Sequence, residues 1–172
     1  YETTGVIHLL KGCGVSVRLF RPGERLRAGD TLILCFSSAP LLGWWRYLKI
    51  TQWVAYRYDI RLIVLCHDEV CRTDVVCGRN IVTVNGERSC IHLSLSLQQT
   101  VQRCLPDGMP ESQWDCVKSF LERASQTLRI FPVQESEDSA IRRAYQKRGL
   151  MVQRLGFVSL MRLKVFMAGH PP

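Results

Sequence analysis

Two apolar runs separated by an aromatic segment dominate the hydrophobic pattern of this chain. Thr31–Phe36 and Ile60–Cys66 are short, almost wholly apolar stretches flanked by turn-forming residues, a pattern that predicts strands buried on both faces. Between them, Leu41–Tyr58 is rich in aromatic and aliphatic residues, lacks proline and is long enough for a helix. Two buried strands joined by such a helix form a parallel βαβ unit. The pattern therefore predicts an α/β fold with a central, mostly parallel sheet flanked by helices.

Alternation of apolar and polar residues predicts further strands on both sides of this unit. In Val15–Phe20 the two kinds of residue alternate, which is typical of a strand with one solvent-exposed face. Asn85 followed by Gly86 is a strong hairpin signal, because both residues tolerate the positive φ that a type I′ turn requires. We therefore expect a β-hairpin in which Asn80–Val84 pairs with Glu87–Leu95.

Helical periodicity predicts most of the remaining elements. Gly5–Leu10 and Leu97–Leu105 fit short helices. Pro110–Thr127 is the clearest amphipathic helix, since proline suits the first helical position and the apolar residues fall on one stripe. Ser136 suits the N-cap of a further helix that ends before Gly149.

The C-terminal part is harder to divide. Leu128–Val133 is apolar enough for a strand, and Pro132 places the end of that strand at a sheet margin. Met151–Met167 is apolar with basic interruptions, a pattern that fits helix and strand equally. With 172 residues, 47% of them hydrophobic, the chain can bury one proper core. We therefore assign residues 1–150 to a single α/β domain and leave open whether residues 151–172 belong to it or form a separate extension.

The cysteine pattern and the lack of long apolar segments indicate the cellular setting. Of the eight cysteines, Cys35 and Cys66 lie within apolar runs, which suits small buried side chains better than a disulfide framework. Asn80 and Asn85 are not in glycosylation sequons. The longest uncharged run, Thr31–Trp45, is too short to span a bilayer. We therefore expect an intracellular protein with no membrane partner.

Residues of the types that bind metals cluster after the second apolar run. Cys66, His67, Cys71 and Cys77 suit zinc, which prefers four such ligands in a tetrahedron. The chain contains no Cys-x-x-Cys pair, however, and Cys66 lies in a strand that we expect to be buried. The glycines are also too few for a phosphate-binding loop. We therefore predict no cofactor and no metal, while zinc at this cluster stays an open alternative.

The order of several predicted elements resembles that of a known family. A strand at Val15–Phe20, a turn, Gly29 and Asp30 opening the next strand, a long helix and the strand at Ile60–Cys66 together resemble the XPF-type structure-specific endonucleases. The resemblance covers residues 5–148, and Gly29 and Asp30 are its motif-level residues. It implies a nuclease-like α/β domain in residues 1–150 that forms a heterodimer and binds DNA in repair or meiotic recombination, with a nuclear location.

The chain departs from that family where catalysis requires acidic residues. In active members a Glu-Arg-Lys follows the Gly-Asp strand and surrounds a divalent metal. Here Cys35–Pro40 occupies that place, and no Asp or Glu occurs between Asp30 and Asp59. A single carboxylate cannot build a hard-cation site for phosphodiester hydrolysis. The resemblance therefore implies a pseudonuclease without enzyme activity, in which Asp30 is a turn residue.

Two basic segments are candidate DNA-binding surfaces, and the formal net charge of +8 also favours an anionic partner. From residue 139 to the C-terminus there are seven Lys or Arg and no acidic residue. A second basic stretch is interleaved with aromatic residues, a combination that suits bases stacking beside neutralised phosphates. The predicted nucleic-acid-binding residues are Arg46, Lys49, Arg57, Arg142, Arg143, Lys147 and Arg148. A solvated basic rim around an aromatic core is the alternative interpretation.

The aromatic helix also offers a protein interface. Aromatic residues occur on nearly every side of it, so one face can pack on the sheet while another meets a partner chain. The predicted interface residues are Trp44, Trp45, Trp53 and Tyr56. The leading hypothesis is thus a pseudonuclease that pairs with a protein partner and contributes to DNA binding. The alternative is an α/β adaptor domain of the TIR or SEFIR class that associates with proteins and binds no nucleic acid.

Overall fold

Three parallel strands form the sheet at the centre of the molecule. The computed structural model describes residues 1–21, 23–73, 75–76, 78, 80–102, 113–130 and 138–171. β1 (Thr31–Cys35), β2 (Arg61–Cys66) and β3 (Ile81–Asn85) are adjacent in that order, and both pairings are parallel. β2 lies in the middle and is the most buried strand. This arrangement confirms the predicted α/β fold with a central parallel sheet.

Seven helices surround the sheet in the part of the chain that the structure describes. They are α1 (Glu2–Gly12), α2 (Trp45–Arg57), α3 (Asp68–Cys71), α4 (Cys90–Gln102), α5 (Gln113–Arg129), α6 (Asp138–Arg154) and α7 (Leu160–Phe166). α2 is the helix predicted between the first two apolar strands, and α5 overlaps the predicted amphipathic helix but ends two residues later, at Arg129. Not one of these described helices is both long and apolar enough to cross a membrane.

The side chains of β2 alternate between two hydrophobic cores, because successive residues of a strand point to opposite faces. Leu62, Val64 and Cys66 belong to the core that α2, α5, α6 and α7 build on one face of the sheet. Ile63 and Leu65 belong to a smaller core beneath α1 and α4. All five side chains are fully buried. β2 is therefore covered on both faces, as its continuous apolar sequence predicts.

The C-terminal residues contribute to the larger of the two cores. Phe157, Leu163 and Phe166 are buried in it. The ring of Phe166 has its centroid 6.1 Å from that of Trp44 and 6.0 Å from that of Phe120. Met151–Met167, for which the sequence left helix and strand open, forms the last turn of α6, a connection and α7.

The predicted β-hairpin at Asn85 and Gly86 is wrong. β3 pairs in parallel with β2, and the chain after the turn enters α4 at Cys90 instead of returning as a strand. Ile91, Leu93 and Leu95 alternate as a strand would, but Leu93 and Leu97 also have helical spacing. The structure buries Leu93 and Leu97 and leaves Ile91 and Leu95 exposed. Covering the second face of the sheet with a helix therefore outweighs the local turn signal.

The predicted strand at Val15–Phe20 is also wrong. These residues have no regular secondary structure. Val15 and Val17 pack at the margin of the core beneath α1 and α4, whereas Leu19 and Phe20 are exposed. The alternating pattern thus reflects an extended segment that covers core residues without pairing to the sheet. One of the elements on which the family resemblance was based is consequently not a strand.

Two boundaries differ from their predictions in the C-terminal half. Leu128 and Arg129 end α5 and do not begin a strand, and residues 131–137 lie outside the described part of the chain. α6 continues through Gly149 and ends at Arg154, two residues before Gly156, whose φ is +84°. The Gly156 N–H donates to Gln153 O and the next N–H to Val152 O, a pairing that satisfies the last carbonyls of a helix. The stop signal is therefore the later glycine, which alone adopts the left-handed conformation.

Candidate functional site

α2 has an apolar inner face that holds it against the rest of the molecule. Trp44, immediately before the helix, and Trp45 are only 0% and 7% exposed. Their indole N–H groups donate to Phe36 O at 3.3 Å and to Ala168 O at 2.9 Å, respectively. The prediction that Trp44 and Trp45 contact a partner is therefore corrected, because both side chains are used to fix α2 to the end of β1 and to the C-terminal segment.

The opposite side of α2 carries exposed aromatic rings among cations. Trp53 and Tyr56 are 54% and 76% exposed. The guanidinium of Arg57 lies 5.8 Å from the centre of the Trp53 ring, and Lys49 Nζ lies 4.9 Å from that of Trp45. No acidic residue occurs in this helix. We call this surface the α2 outer face and define it by Arg46, Lys49, Ile50, Trp53, Tyr56 and Arg57.

A groove of about 810 Å³ runs along the α2 outer face, between α2, α5 and residues 170–171. Trp53, Val117 and Leu121 supply apolar surface to it. Cationic side chains come from both helices, and Glu122 is the acidic residue among the described residues that line it. The cations are Lys49, Lys118 and Arg129. An apolar floor between cations suits a ligand that is flat and anionic, and the open shape suits an elongated one.

Lys118 and Arg129 were not among the predicted site residues. The sequence does carry a signal for them, because Lys118, Glu122, Ser125 and Arg129 recur at helical spacing on the side of α5 that borders its apolar stripe. What the periodicity cannot show is that this polar side faces α2. That placement depends on the packing of two helices that are far apart in the sequence.

The basic residues predicted on α6 divide into two groups. Arg142, Arg143 and Lys147 are exposed, as a binding surface requires. Arg148 is only 9% exposed and its guanidinium lies 5.4 Å from the centre of the Tyr145 ring. Its prediction as a nucleic-acid contact is therefore corrected. α5 contacts both α2 and α6, so it lies between the two basic helices.

Polar side chains also gather at the carboxyl end of the sheet, where parallel α/β sheets commonly bind ligands. Glu2 accepts hydrogen bonds from the backbone N–H groups of Ser37 and Ser38, at 3.2 and 2.9 Å, and from both hydroxyls. Burial raises the pKa of Glu2, but the hydrogen bonds from the two serines lower it by more, so the pKa lies below its usual value. Gly86 lies against Ser37, and a Cβ at that position would collide with the serine side chain. These groups bind each other.

His67 and Glu87 form a second polar pair at the same edge. His67 Nδ1 lies 2.7 Å from Glu87 Oε1, and its Nε2 lies 2.5 Å from Ala39 O. Glu87 Oε2 also accepts the Asp68 N–H at the start of α3, at 3.0 Å. A carbonyl and a carboxylate are both acceptors, so the two contacts are made together when each ring nitrogen carries a proton. Both ring nitrogens of His67 therefore face oxygen atoms of the protein.

Side chains that could bind a metal do not cluster in the part of the chain that the structure describes. The described residues contain no group of three or more His, Cys, Asp or Glu side chains that could hold a metal ion. Of the residues that were considered as zinc ligands, Cys66 and Cys71 are adjacent, whereas Cys77 lies outside the described residues. Asp30 is exposed in the turn before β1, where its carboxylate accepts the Arg27 N–H at 2.8 Å. It thus has the turn role that the sequence favoured.

Comparison with known proteins adds no relative. No protein-family model, no curated protein and no solved structure matches this chain.

Proposed function

We propose that this chain is a non-catalytic α/β binding domain that holds nucleic acid with unpaired bases along the α2 outer face and the adjoining groove. The observation that supports this proposal most directly is the combination, on one exposed helix face, of Trp53 and Tyr56 with Lys49 and Arg57. Exposed aromatic rings stack on bases of any sequence, and the neighbouring cations neutralise phosphates.

Unpaired bases are the favoured target because of what the aromatic rings need. In a duplex the faces of the bases are stacked on one another, whereas a single strand or the branch point of a DNA junction leaves faces open to a side chain. A branched substrate is also what the resemblance to XPF-type pseudonucleases implies. In this proposal the domain supplies binding surface to an assembly, and a protein partner supplies any chemistry.

The α2 outer face is a better primary site than α6. Both helices expose cations, but Lys49, Arg46 and Arg57 make no ion pair with another described residue and lie on a helix without acids. The sequence of α6 begins with an acidic residue, Asp138, whereas α2 contains none. By sequence α2 is therefore the more favourable helix for phosphate. We assign α6 a secondary, purely electrostatic contribution.

The proposal is tested by fluorescence anisotropy with labelled oligo-dT, a duplex and a three-way junction, each titrated with salt. Replacing Lys49 and Arg57 by Glu should weaken binding to oligo-dT and reduce the slope of log K against log salt by about 1.4, the value for two lost phosphate contacts on a single strand. Arg142 and Lys147 replaced by Glu change the net charge equally and serve as the matched control. We expect the control to lose less affinity.

Stacking is tested separately from charge. Replacing Trp53 and Tyr56 by Ala leaves the net charge unchanged and should cost about 1–3 kcal/mol of binding free energy for each stacked base. The proposal is wrong if the wild-type domain does not bind oligo-dT or the junction at low salt. It is also wrong if the α2 and α6 charge variants lose equal affinity while the aromatic variant loses none, since that result describes a diffuse basic surface.

A protein-interaction adaptor is the second candidate function, and the apolar floor of the groove favours it. Val117 and Leu121 are buried residues that nevertheless line the groove. A protein ligand would bury apolar side chains against them, together with Trp53 and Ile50. The aromatic variant would then abolish association with a protein partner, and neither charge variant would change binding to DNA because the wild type would have none.

A further inference from the structure

Cys66 and Cys71 bring two thiols together at the junction of β2 and α3. Cys66 is the last residue of β2 and is fully buried, and Cys71 is the last residue of α3 and is partly exposed. Their Sγ atoms are 3.1 Å apart. This separation is a thiol hydrogen bond and exceeds a disulfide bond, of about 2.05 Å, by roughly 1 Å. Forming the bond requires the two sulfurs to approach each other by that distance.

We propose that Cys66 and Cys71 are a redox-active pair that forms a reversible disulfide with peroxide as the oxidant. The inference is independent of nucleic-acid binding, because neither sulfur lies on the α2 outer face or in the groove. Disulfide formation is a role distinct from the two considered above for these cysteines, which were packing in the core and binding zinc.

The surroundings assign different roles to the two sulfurs. Either sulfur can donate in this contact. The hydrogen bond with Cys66 lowers the pKa of Cys71, and the positive charge of Arg88 lowers it further, against partial burial and the charge of Glu87, which raise it. The same hydrogen bond, together with burial, raises the pKa of Cys66. The thiolate is the nucleophile in thiol oxidation. Cys71, which solvent reaches, is therefore the thiol that attacks, and Cys66 is the resolving thiol behind it.

The reaction balances in two steps. The Cys71 thiolate attacks one oxygen of hydrogen peroxide, the O–O bond breaks, and hydroxide leaves, which gives a sulfenic acid on Cys71. The Cys66 thiol then loses its proton and attacks the Cys71 sulfur, the S–O bond breaks, and the sulfenic oxygen leaves as water. In sum, two thiols are oxidised to one disulfide, and one peroxide is reduced to two waters. Reduction by a dithiol restores both thiols by exchange.

Mass spectrometry tests the pair without any variant, because both cysteines fall in one tryptic peptide, Leu62–Arg72. The purified chain is treated with a chelator to remove adventitious metal, then with hydrogen peroxide, and the remaining thiols are alkylated before digestion. We expect this peptide to lose two hydrogen atoms and to take up no alkyl group. After dithiothreitol it should take up two. The peptide Ser89–Arg103 carries the exposed Cys90 alone and is the internal control.

Two serine variants test the order of events. With Cys66→Ser, the sulfenic acid on Cys71 has no resolving thiol and should be trapped by dimedone. With Cys71→Ser, the buried Cys66 should give no dimedone adduct. The proposal fails if Leu62–Arg72 remains doubly alkylated at a peroxide concentration that oxidises Cys90. It also fails if Cys71 is recovered in a disulfide with a different peptide, because the 3.1 Å approach would then not direct the pairing.

Discussion

The carboxyl edge of the sheet and the α2 outer face are both rich in polar groups, but they use them in opposite ways. At the edge, Glu2 is bonded to two serines, and Glu87 to His67 and the start of α3. On the outer face, Lys49 and Arg57 have no acidic partner among the described residues, and the rings beside them are exposed. Groups that satisfy each other stabilise a fold, whereas unpaired charge beside exposed aromatic surface is available for a ligand.

We expect the difference between the two regions to appear in the free energy of unfolding and in the affinity for nucleic acid. Changes at the carboxyl edge should lower the free energy of unfolding and leave nucleic-acid binding alone. Changes on the α2 outer face should weaken nucleic-acid binding and leave the free energy of unfolding nearly unchanged. The location where a parallel sheet commonly binds its ligand is thus a structural region here, and the candidate binding surface lies on a covering helix.

The largest expected effect separates two tryptophans of the same helical segment. Trp44 is fully buried and donates to Phe36 O at the end of β1, so Trp44→Ala should lower the free energy of unfolding by about 3–5 kcal/mol. Trp53 is exposed, and Trp53→Ala should change that free energy by less than about 0.5 kcal/mol while weakening binding to oligo-dT. Urea unfolding of both variants measures the free energy of unfolding. Fluorescence anisotropy with labelled oligo-dT, on the folded fraction of each variant, measures binding.

The opposite outcome for either tryptophan would break the comparison. If Trp53→Ala destabilised the domain as strongly as Trp44→Ala, the outer face would be part of the structure and not a free surface. Phe at each position is the conservative control. It should restore part of the stability at position 44 and part of the stacking at position 53.

The second-largest expected effect distinguishes Glu87, at the carboxyl edge, from Glu122, in the groove. Glu87→Ala removes an acceptor from His67 and from the Asp68 N–H, and because the Glu87 side chain is partly exposed to solvent we expect a loss of about 1–2 kcal/mol of stability. Glu122→Ala removes the acidic residue that lines the groove and should change stability by less than about 0.5 kcal/mol. It should also tighten binding to oligo-dT, because a carboxylate beside the phosphates is lost. Unchanged affinity in this variant would place the nucleic acid away from the groove.

Sequence periodicity succeeded where burial dictates the pattern of residues. β1, β2 and the helix between them were predicted from two apolar runs and an aromatic segment. The predicted burial on both faces holds for β2, whereas β1 lies at the edge of the sheet and its residues are only partly buried. Periodicity was ambiguous where two patterns coexist. Ile91, Leu93 and Leu95 have strand spacing and Leu93 and Leu97 have helix spacing, and the sheet face that needed cover decided between them.

The candidate site was predictable only in part, for a related reason. Aromatic residues surround α2, so the sequence identified the helix without showing which tryptophans face the sheet. Trp45 is held by Ala168, a residue from the far end of the chain, and the groove exists because α5 packs beside α2. Contacts between distant segments leave no local pattern, and these contacts determine which side chains remain exposed.

The smallest expected effect depends on pH and returns to Glu2. Its pKa lies below the usual 4.5 because four hydrogen bonds from Ser37 and Ser38 outweigh the cost of burial. A carboxyl with a lowered pKa in the folded state stabilises the fold above its unfolded pKa, and this stabilisation is lost as the pH falls through the folded pKa. Glu2→Gln should therefore cost about 1 kcal/mol at pH 7, and the difference from wild type should shrink below about pH 4.5.

Urea unfolding of wild type and Glu2→Gln between pH 3 and pH 7 measures that difference, with other titrating groups common to both proteins. Glu24→Gln is the matched control, since the Arg21 N–H and Arg18 also lower the pKa of Glu24, but in an exposed turn where solvent screens the charge. The stability difference between Glu24→Gln and wild type should depend on pH with the same sign and a smaller amplitude. A deficit in Glu2→Gln that stays constant down to pH 3 would mean that the carboxylate charge adds nothing to the serine contacts. The carboxyl edge would then be held together by its neutral hydrogen bonds alone.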